Sequence, residues 1–402
     1  MKYKYKARNQ AGEIQEGFVE ATTIANATLV LQQHNLVVVS VKPVQESGLL
    51  SGLSHAWEGI SAKEFVIFTR QLAVMIEAKV PLTVAFKSIA SQTANPYFAS
   101  VLSRIISDID EGKTLSECFQ KHPNVFSELF VNMVQSGEIS GNLQKTLEDL
   151  ADNIEKNHTL TQKVKGVLYY PAFILSAFFI VAFIMITFVI PKLMTMLKET
   201  NAQLPITTKI LIWSGDFMQK WWWAVLLAVI AAIAGVIYYV RTEEGKKEFD
   251  VAILKVPLVS RVLRYVYLAR FSENLSTLVR SGLPIVTSLQ ISGKVIGNSL
   301  FEMDILETAE KVKTGGSISG ELAGKPNFPP MMVQMIKVGE DTGKLDSTLE
   351  TMSKFYTREA DQMVSNLSSI LEPVLIVILG VGVGILVFSI IVPIYNIAQG
   401  IK

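Results

Sequence analysis

Three groups of residues in this chain are of types that bind ligands or do chemistry in other proteins. The first is Gly112-Lys113-Thr114, which matches the end of a phosphate-binding loop. That loop requires a glycine five positions earlier and a preceding strand. Here Ser107 occupies that position, and the surrounding sequence has a helical pattern. The segment is therefore predicted to be a turn followed by a helix N-cap.

Histidine and cysteine form the second group. The histidines show no metal-ligand spacing among themselves or with the single cysteine. No Gly-x-Ser-x-Gly elbow for a nucleophilic serine occurs either. The sequence thus predicts no catalytic residue, no metal site, no cofactor and no enzymatic activity. The residues concerned are His34, His55, His122, His158 and Cys118.

The third group is a Gly-Glu pair that occurs twice. Gly137-Glu138 is followed by Gly141, and Gly339-Glu340 is followed by Gly343. A glycine in a left-handed turn ends many helices, and the dipole of the next helix favours an acid near its start. The alternative is that the acids also contact a partner. Replacing both glutamates by alanine is then expected to leave the isolated domains folded and to abolish the function that needs the partner.

Further candidates lie in apolar segments. Glu372-Pro373 stands at the start of the last one, where an acid is expected to face protein, water or headgroups. A proton relay is disfavoured because the position is terminal and not at midplane. Within that segment, Gly380-x-x-x-Gly384 allows another helix backbone to approach closely. The sequence does not decide between the first apolar segment, another protomer and a different protein as its partner.

A duplicated domain carries these residues. Phe68-Thr69-Arg70-Gln71-Leu72 is repeated as Phe271-Ser272-Glu273-Asn274-Leu275, and Tyr170-Pro171 opens an apolar run as Glu372-Pro373 does. The offset is 203 residues at the start and 202 from Gly137 onward, so one residue is lost on the way. Repeats of this length are duplicated domains and not the short units of a solenoid.

Three apolar segments are long enough to cross a membrane. Val167–Ile190, Trp221–Val240 and Val374–Ile394 contain no Asp, Glu, Lys, Arg or His. About 20 helical residues cross a bilayer core of about 30 Å, whereas a buried core helix seldom runs so long without a charge. Each copy ends in one crossing, and the middle segment returns the chain, so that both copies face one compartment.

The distribution of basic residues gives only a weak indication of which side of the membrane the domains occupy. Lys163, Lys165 and Arg241 flank the spans on the side of the domains, but the opposite loop also holds four lysines, so cytoplasmic domains are slightly favoured. The start of the chain, Met1–Lys6, predicts no cleaved signal peptide. The 37 basic and 36 acidic residues nearly balance, which gives no indication of nucleic-acid binding.

The soluble parts read as a small mixed unit followed by helices. Strands are predicted near Tyr3–Ala7, Ile14–Glu20 and Leu36–Val41, with a helix over Ile24–His34. Ser61-Ala62-Lys63-Glu64 has the pattern of a capping box. About six antiparallel helices follow in each copy, and the sixth, from about Leu143, is expected to continue into the membrane. A short interfacial helix is predicted over Lys209–Met218.

The predicted fold class is mainly α: a membrane protein with two homologous cytoplasmic helical bundles, three transmembrane helices and a small N-terminal α+β unit. The predicted segments are residues 1–46 (N-terminal unit), 47–60 (linker), 61–166 (first bundle), 167–190 (first span), 191–220 (periplasmic loop), 221–240 (second span), 241–372 (second bundle), 373–395 (third span) and 396–402 (periplasmic tail).

On these residues the chain resembles the type II secretion system F family, which includes the inner-membrane platform proteins of type IV pilus assembly, the PilC-like proteins. The matching features are the duplicated helical domain, Gly-Glu followed by Gly-x-Leu in both copies, and Lys163–Pro171 entering the first span. Leu371-Glu372-Pro373 and the Tyr-x-Ala-Arg pattern at Tyr5 also fit. The resemblance covers nearly the whole chain and lies in the combination of motifs.

The resemblance implies a platform in the bacterial inner membrane that sits under a growing pilus or secretion pseudopilus and hydrolyses nothing. Its implied partners are a cytoplasmic hexameric assembly ATPase, pilin or pseudopilin subunits, other inner-membrane assembly proteins, membrane lipid and further copies of itself. Pilin is then one of the candidate partners of Gly380 and Gly384.

Two other function classes fit the residues less well. A small oligomeric transporter or channel normally carries polar groups at bilayer depth, and the three spans carry no charged residue. A membrane-anchored enzyme requires a catalytic constellation, which the residues above do not supply.

Overall fold

The structure is a computed structural model of the chain, and it describes residues 2–8, 14–20, 26, 28, 37–43, 59–189, 206–257 and 259–400. The chain forms two compact units, Met1–Ile60 and Ser61–Lys402. The predicted linker lies almost entirely outside the described residues, as do the first half of the loop after the first span and the last two residues.

The first unit contains a three-stranded antiparallel sheet of order β2-β1-β3, made of β1 (Lys2–Arg8), β2 (Ile14–Glu20) and β3 (Val37–Pro43). A register shift between Lys6 and Ala7 interrupts the pairing of β1 with β3. The three predicted strands are thus confirmed. Of the helix predicted over Ile24–His34, only Asn26 and Thr28 are described, and both are helical.

The first copy of the repeat begins at the predicted capping box. Glu64 N donates to Ser61 Oγ at 3.2 Å and Ser61 N donates to the Glu64 carboxylate at 3.0 Å, which satisfies two free donors of the first turn. Five helices precede the long one: α1 (Ala62–Glu77), α2 (Leu82–Gln92), α3 (Pro96–Asp110), α4 (Leu115–Gln120) and α5 (Glu128–Ile139).

Phenylalanine rings fill the core of this bundle. Phe119 is fully buried and lies edge-on to Phe130, with ring centroids 4.9 Å apart, and 4.3 Å from Phe126. Such pairs add to the stabilisation that burial of the rings already gives. Phe68 of α1 and Phe98 of α3 are buried in the same core, with ring centroids 5.2 Å apart.

The second copy repeats this order with α9 (Val259–Arg280), α10 (Ile285–Val295), α11 (Ser299–Lys313), α12 (Ile318–Leu322) and α13 (Pro330–Thr342). One extra helix, α8 (Glu243–Ile253), precedes it. The carboxylate of Asp250 on α8 accepts from Ser299 N at 2.8 Å, at the start of α11. The extra helix is therefore held to the second copy by a charge at a helix N-terminus.

Two very long helices connect the bundles to the apolar segments. They are α6 (Leu143–Ile184), which continues as a π-helical turn over Met185–Val189, and α14 (Leu345–Gly400). The continuation of the sixth helix from Leu143 into the first apolar segment is confirmed. Together with α7 (Ile206–Val240), they provide three helices that are long and apolar enough to span a membrane, judged by length and composition.

One element differs from its prediction. Lys209–Met218 is not a separate short helix but the first part of α7. Gln219 and Lys220, which join it to the tryptophans, are good helix formers, so nothing in the sequence stops the helix there. Apart from this element, the mainly helical class with a duplicated domain and three candidate spans is confirmed.

Candidate functional site

The glutamate of the first Gly-Glu pair joins two helices of its own bundle. The carboxylate of Glu138, on α5, accepts hydrogen bonds from Leu115 N at 2.5 Å, Ser116 N at 3.1 Å and Ser116 Oγ at 2.5 Å. Leu115 and Ser116 form the first turn of α4, whose N-cap is Thr114. The carboxylate of Glu138 therefore satisfies free N–H donors at the start of α4, which begins 23 residues before it.

The second copy repeats the arrangement. The carboxylate of Glu340 accepts from Ile318 N at 2.5 Å, Ser319 N at 3.0 Å and Ser319 Oγ at 2.5 Å, at the start of α12. Glu340 lies 22 residues after Ile318, one fewer than in the first copy, as the change of offset requires. In both copies, therefore, a half-buried glutamate accepts hydrogen bonds at the N-terminus of the equivalent short helix, α4 or α12.

The prediction of where these acids act is corrected in one respect. The dipole argument is right, but the helix that Glu138 and Glu340 stabilise precedes them and does not follow them. Both side chains are half-buried and bound within their own bundle, so they are not freely exposed to a partner. The Gly112-Lys113-Thr114 segment belongs to the same site, because Thr114 caps α4 and Gly112 has a φ of 87°.

The four glycines of the motif have two different roles. Gly141 and Gly343 have φ values of 68° and 67°, so they make the predicted left-handed turns. Gly137 and Gly339 lie inside α5 and α13 and are buried. Their role is close approach, because the next helix of the same copy passes directly over them.

We expect an alanine at either buried glycine to destabilise its bundle. The added Cβ at Gly339 would lie 2.3 Å from Thr348 Oγ1 and 2.9 Å from Leu345 Cα, whereas at Gly137 it would lie 2.6 Å from Thr146 Oγ1. Gly339→Ala also meets backbone, which cannot rotate away, so it should cost about 3 kcal/mol and Gly137→Ala about 2 kcal/mol. Thermal unfolding of the purified protein measures both.

Gly166→Ala is the matched control. Gly166 is also helical, on α6, and an added Cβ there meets nothing within 4 Å. Alanine should therefore leave the melting temperature unchanged or raise it slightly. Equal melting of Gly339→Ala and Gly166→Ala would contradict the close-approach role.

The junction between the two copies is largely polar. Helix α6 of the first copy lies against α9 and α14 of the second, and its Leu160 belongs to the hydrophobic core of the second copy. A buried amide pair, Asn153 Nδ2 to Asn274 Oδ1 at 3.0 Å, lies at the centre. Further polar contacts among the described residues are Ser136–Ser281, Asp149–Arg280, Lys156–Glu273, Asn157–Asn274, Thr161–Arg270, Lys163–Asp361 and Glu128–Lys294.

The residues at the start of the first and last apolar segments lie within the long helices. Pro171 is inside α6, and Glu372 and Pro373 are inside α14, with both of the latter exposed. An exposed Glu372 agrees with an acid that faces headgroups, water or another protein. The helices thus run from bundle to apolar segment without a break at either proline.

Among the described residues, only some glycines of the last apolar segment pack closely against another helix of the chain. Gly382 lies against the ring of Phe178 on α6, whereas an added Cβ at Gly380 or Gly384 would meet nothing within 4 Å. Close packing of Gly380 and Gly384 against a further helix therefore stays a prediction, and its partner is not in this chain's described part.

The thiol of Cys118 is buried in the core of the first bundle, and burial raises its pKa. A protonated, inaccessible thiol is a poor nucleophile. Among the side chains that the structure describes, no three of His, Cys, Asp and Glu group so that they could hold a metal ion.

Sequence reasoning missed the partners of the repeated motif. Ser116 and Ser319 supply the hydroxyls for the glutamates, and Thr146 and Thr348 cover the buried glycines. A signal for both existed, since each residue recurs at the equivalent place in the other copy. A comparison of the two copies position by position could have found them.

Family models match both copies and the N-terminal unit. The model described as type II secretion system protein F matches residues 68–191 and again 271–393. The model described as the N-terminal domain of type II secretion system protein F matches residues 1–42. The two matches begin at Phe68 and Phe271, where the repeat begins in the sequence.

Curated relatives are similar along their whole length. The type IV pilus assembly protein PilC of Myxococcus xanthus is 33% identical over 402 residues, which is 100% of this chain and 96% of the relative. PilC of Thermus thermophilus is 33% identical over 98% of both chains. The type II secretion system protein F of Pseudomonas aeruginosa is 30% identical over 99% of this chain and 98% of its own.

Proposed function

The chain belongs to the type II secretion system protein F family, and from this membership we propose that it is a non-enzymatic inner-membrane platform for assembly of a type IV pilus or a secretion pseudopilus. Its spans would cross the inner membrane three times. Its two bundles would lie in the cytoplasm and couple a hexameric assembly ATPase to the insertion of pilin subunits into the base of the fibre.

The observation that carries the proposal is the continuity of α6 and α14. Each begins in a bundle just after the left-handed turn at Gly141 or Gly343 and continues into an apolar segment, over 42 and 56 residues. A continuous helix transmits rotation or tilt, since its backbone hydrogen bonds resist bending. A force on either bundle from the ATPase would therefore move a span directly.

The polar junction supports movement between the bundles. Contacts such as Lys163–Asp361 and Glu128–Lys294 join side chains that are partly exposed to water. Exposed ion pairs contribute little net stability and can be broken and re-formed at low cost. The open glycines Gly380 and Gly384 would then offer a contact for another apolar helix, from a pilin or a second protomer.

Deletion of the gene tests the function. We expect loss of surface fibres or of pseudopilus-dependent secretion, with unchanged uptake of solutes and no ATP turnover by the purified protein. Unchanged fibres and secretion with impaired solute uptake would instead favour the alternative, a small oligomeric transporter or channel. ATP turnover by the pure protein would contradict the non-enzymatic role.

Cysteine labelling tests the proposed orientation. Single cysteines at Ser100 and Lys313, both exposed and one in each copy, are expected to react only when a membrane-impermeant maleimide reaches the cytoplasm. A cysteine at Gln203, between the first two spans, is expected to react from the periplasm. The native Cys118 is buried and should give no background. Labelling of Ser100→Cys and Lys313→Cys from opposite sides would overturn the shared compartment.

A further inference from the structure

A cavity of about 330 Å³ lies between the two copies, bounded by α1, the start of α5, α6, α9 and the end of α10. Its ionisable lining residues are His158, Lys165 and Arg270, and no Asp or Glu lines it. Amide side chains supply further hydrogen-bond donors: Asn153, Asn157, Gln162 and Asn274. A pocket of this size with only basic ionisable groups has the chemistry of an anion site.

Arg270 is a half-buried cation of this cavity that has no carboxylate partner. Its Nη2 donates to Thr161 Oγ1 at 2.7 Å and its Nη1 to the Ile296 carbonyl at 3.3 Å, both neutral acceptors. Its Nε is buried and has no hydrogen-bond partner. Within the described part of the chain, no carboxylate lies within 4.0 Å of the Arg270 guanidinium. Burial lowers the pKa of Arg270, but arginine stays charged in proteins.

The first copy of the repeat has no cation at the equivalent position. The residue that corresponds to Arg270 in the first copy is Ile67, which is 46% exposed. Buried charges in proteins are normally paired, because an unpaired one costs several kcal/mol. Arg270 also lines a neighbouring cavity that contains four acids, and each of these is paired with another cation. The pairs are Asp152 and Glu155 with Arg70, Glu273 with Lys156, and Asp361 with Lys163. Glu128, which adjoins Ser127 and Leu129 of the lining, is paired with Lys294. The missing counter-charge must then come from outside the described chain.

The lining of the cavity extends along α6 toward the end of the helix that enters the first apolar segment. Thr161, Gln162 and Lys165 lie on one face of that helix, and Lys165 is two residues before the apolar segment begins at Val167. Thr161, which Arg270 contacts, is six residues before Val167, or about 9 Å along a helix. The headgroup layer extends roughly 5–8 Å beyond the hydrocarbon, and basic side chains reach along it.

We propose that this inter-copy cavity binds a phosphate group, with Arg270 and Lys165 as its cationic ligands. The phosphate can be carried by an anionic lipid headgroup or by a small soluble phosphate compound. Basic pockets at the ends of membrane helices are known to select anionic headgroups. The site joins α6 of the first copy to α9 of the second, so an occupant would stabilise the contact between the copies. The inference needs the membrane position of α6 but not the role in fibre assembly.

The test is thermal unfolding of the full chain in a neutral detergent, titrated separately with short-chain phosphatidylglycerol, short-chain phosphatidylcholine and inorganic phosphate at constant ionic strength. Phosphatidylglycerol or inorganic phosphate should raise the melting temperature by at least about 2 °C. A response to phosphatidylglycerol alone identifies the lipid as the source, and a response to inorganic phosphate identifies a soluble ligand. An equal response to phosphatidylcholine, or no response to either phosphate, overturns the proposal.

Variants locate the response in the cavity. Arg270→Gln with Lys165→Gln should raise the half-saturating concentration at least tenfold, and Arg270→Lys should retain part of the response. Lys87→Gln, which removes an exposed lysine of the first copy, is the control and should titrate like the wild type. Without added anion, Arg270→Met should melt no lower than the wild type, because it removes a half-buried cation that has no carboxylate partner. An undiminished response in the double variant overturns the site.

Discussion

The double variant Glu138→Ala, Glu340→Ala is expected to lose most of its folding stability and, in cells, to abolish fibre assembly. Each change removes a carboxylate that accepts three hydrogen bonds at the start of a short helix. Water can satisfy half-buried donors in part, so the loss is smaller than for three fully buried ones, and each copy should lose about 2–4 kcal/mol. The sum approaches the total stability of a typical domain.

Single variants and a neighbouring control make the measurement decisive. Glu138→Ala and Glu340→Ala alone should each lower the melting temperature by roughly 5–15 °C. Asp341→Ala is the matched control, because Asp341 adjoins Glu340 and is exposed. Within the described part of the chain, the side chain of Asp341 makes no hydrogen bond or ion pair. It should change stability by less than about 0.5 kcal/mol. Wild-type melting of both single variants would show that the two acids do not hold the bundles together.

This expectation replaces the one drawn from the sequence, in which the alanine variants leave the domains folded. The sequence identified the residues and the physical effect, a carboxylate at a helix N-terminus. It could not identify the helix, because Leu115 is 23 residues from Glu138 and their contact depends on how α4 and α5 pack. Local patterns report neighbours along the chain, whereas this bond is set by tertiary structure.

The predictions that depend on residues close together in the chain were the most reliable. The capping box at Ser61, the turn at Gly112 and the continuation of α6 from Leu143 each depend on residues within a few positions of one another. The same holds for the left-handed turns at Gly141 and Gly343. Gly137 and Gly339 were assigned to the same turns, but the residues that need their small size, Thr146 and Thr348, lie across a helix pair.

The junction between the copies could not be predicted for a different reason. Its contacts are polar and join residues more than 100 positions apart, such as Asn153 with Asn274. No apolar periodicity marks such a surface, and Arg270 reads as an ordinary exposed cation until Thr161 is placed against it. Duplication offers the one available signal, because Arg270 and Ile67 differ where the repeat predicts similarity.

Breaking α14 between bundle and span is expected to separate folding from function. Asn366, Ser368 and Ser369 are exposed and lie a few residues before the apolar segment. Replacing them by Gly, Pro and Gly opposes the helix by about 5 kcal/mol relative to three alanines, since glycine costs about 1 and proline about 3 kcal/mol. Fibres or secreted protein should fall more than tenfold, because the bundle can then move without moving the span.

The alanine triple is the matched control, as it changes the same exposed positions and keeps the helix continuous. It should assemble fibres within about twofold of the wild type, since alanine favours the helix more than the native residues do. Both variants should insert into the membrane. The bundles of both should melt within a few degrees of the wild type, because the cost of the break falls on the helical residues between bundle and span, whose altered side chains are exposed and lie outside both cores. Normal assembly by the Gly-Pro-Gly variant would show that force does not pass along α14. The platform would then have to act as a static anchor on which the ATPase and the pilin meet.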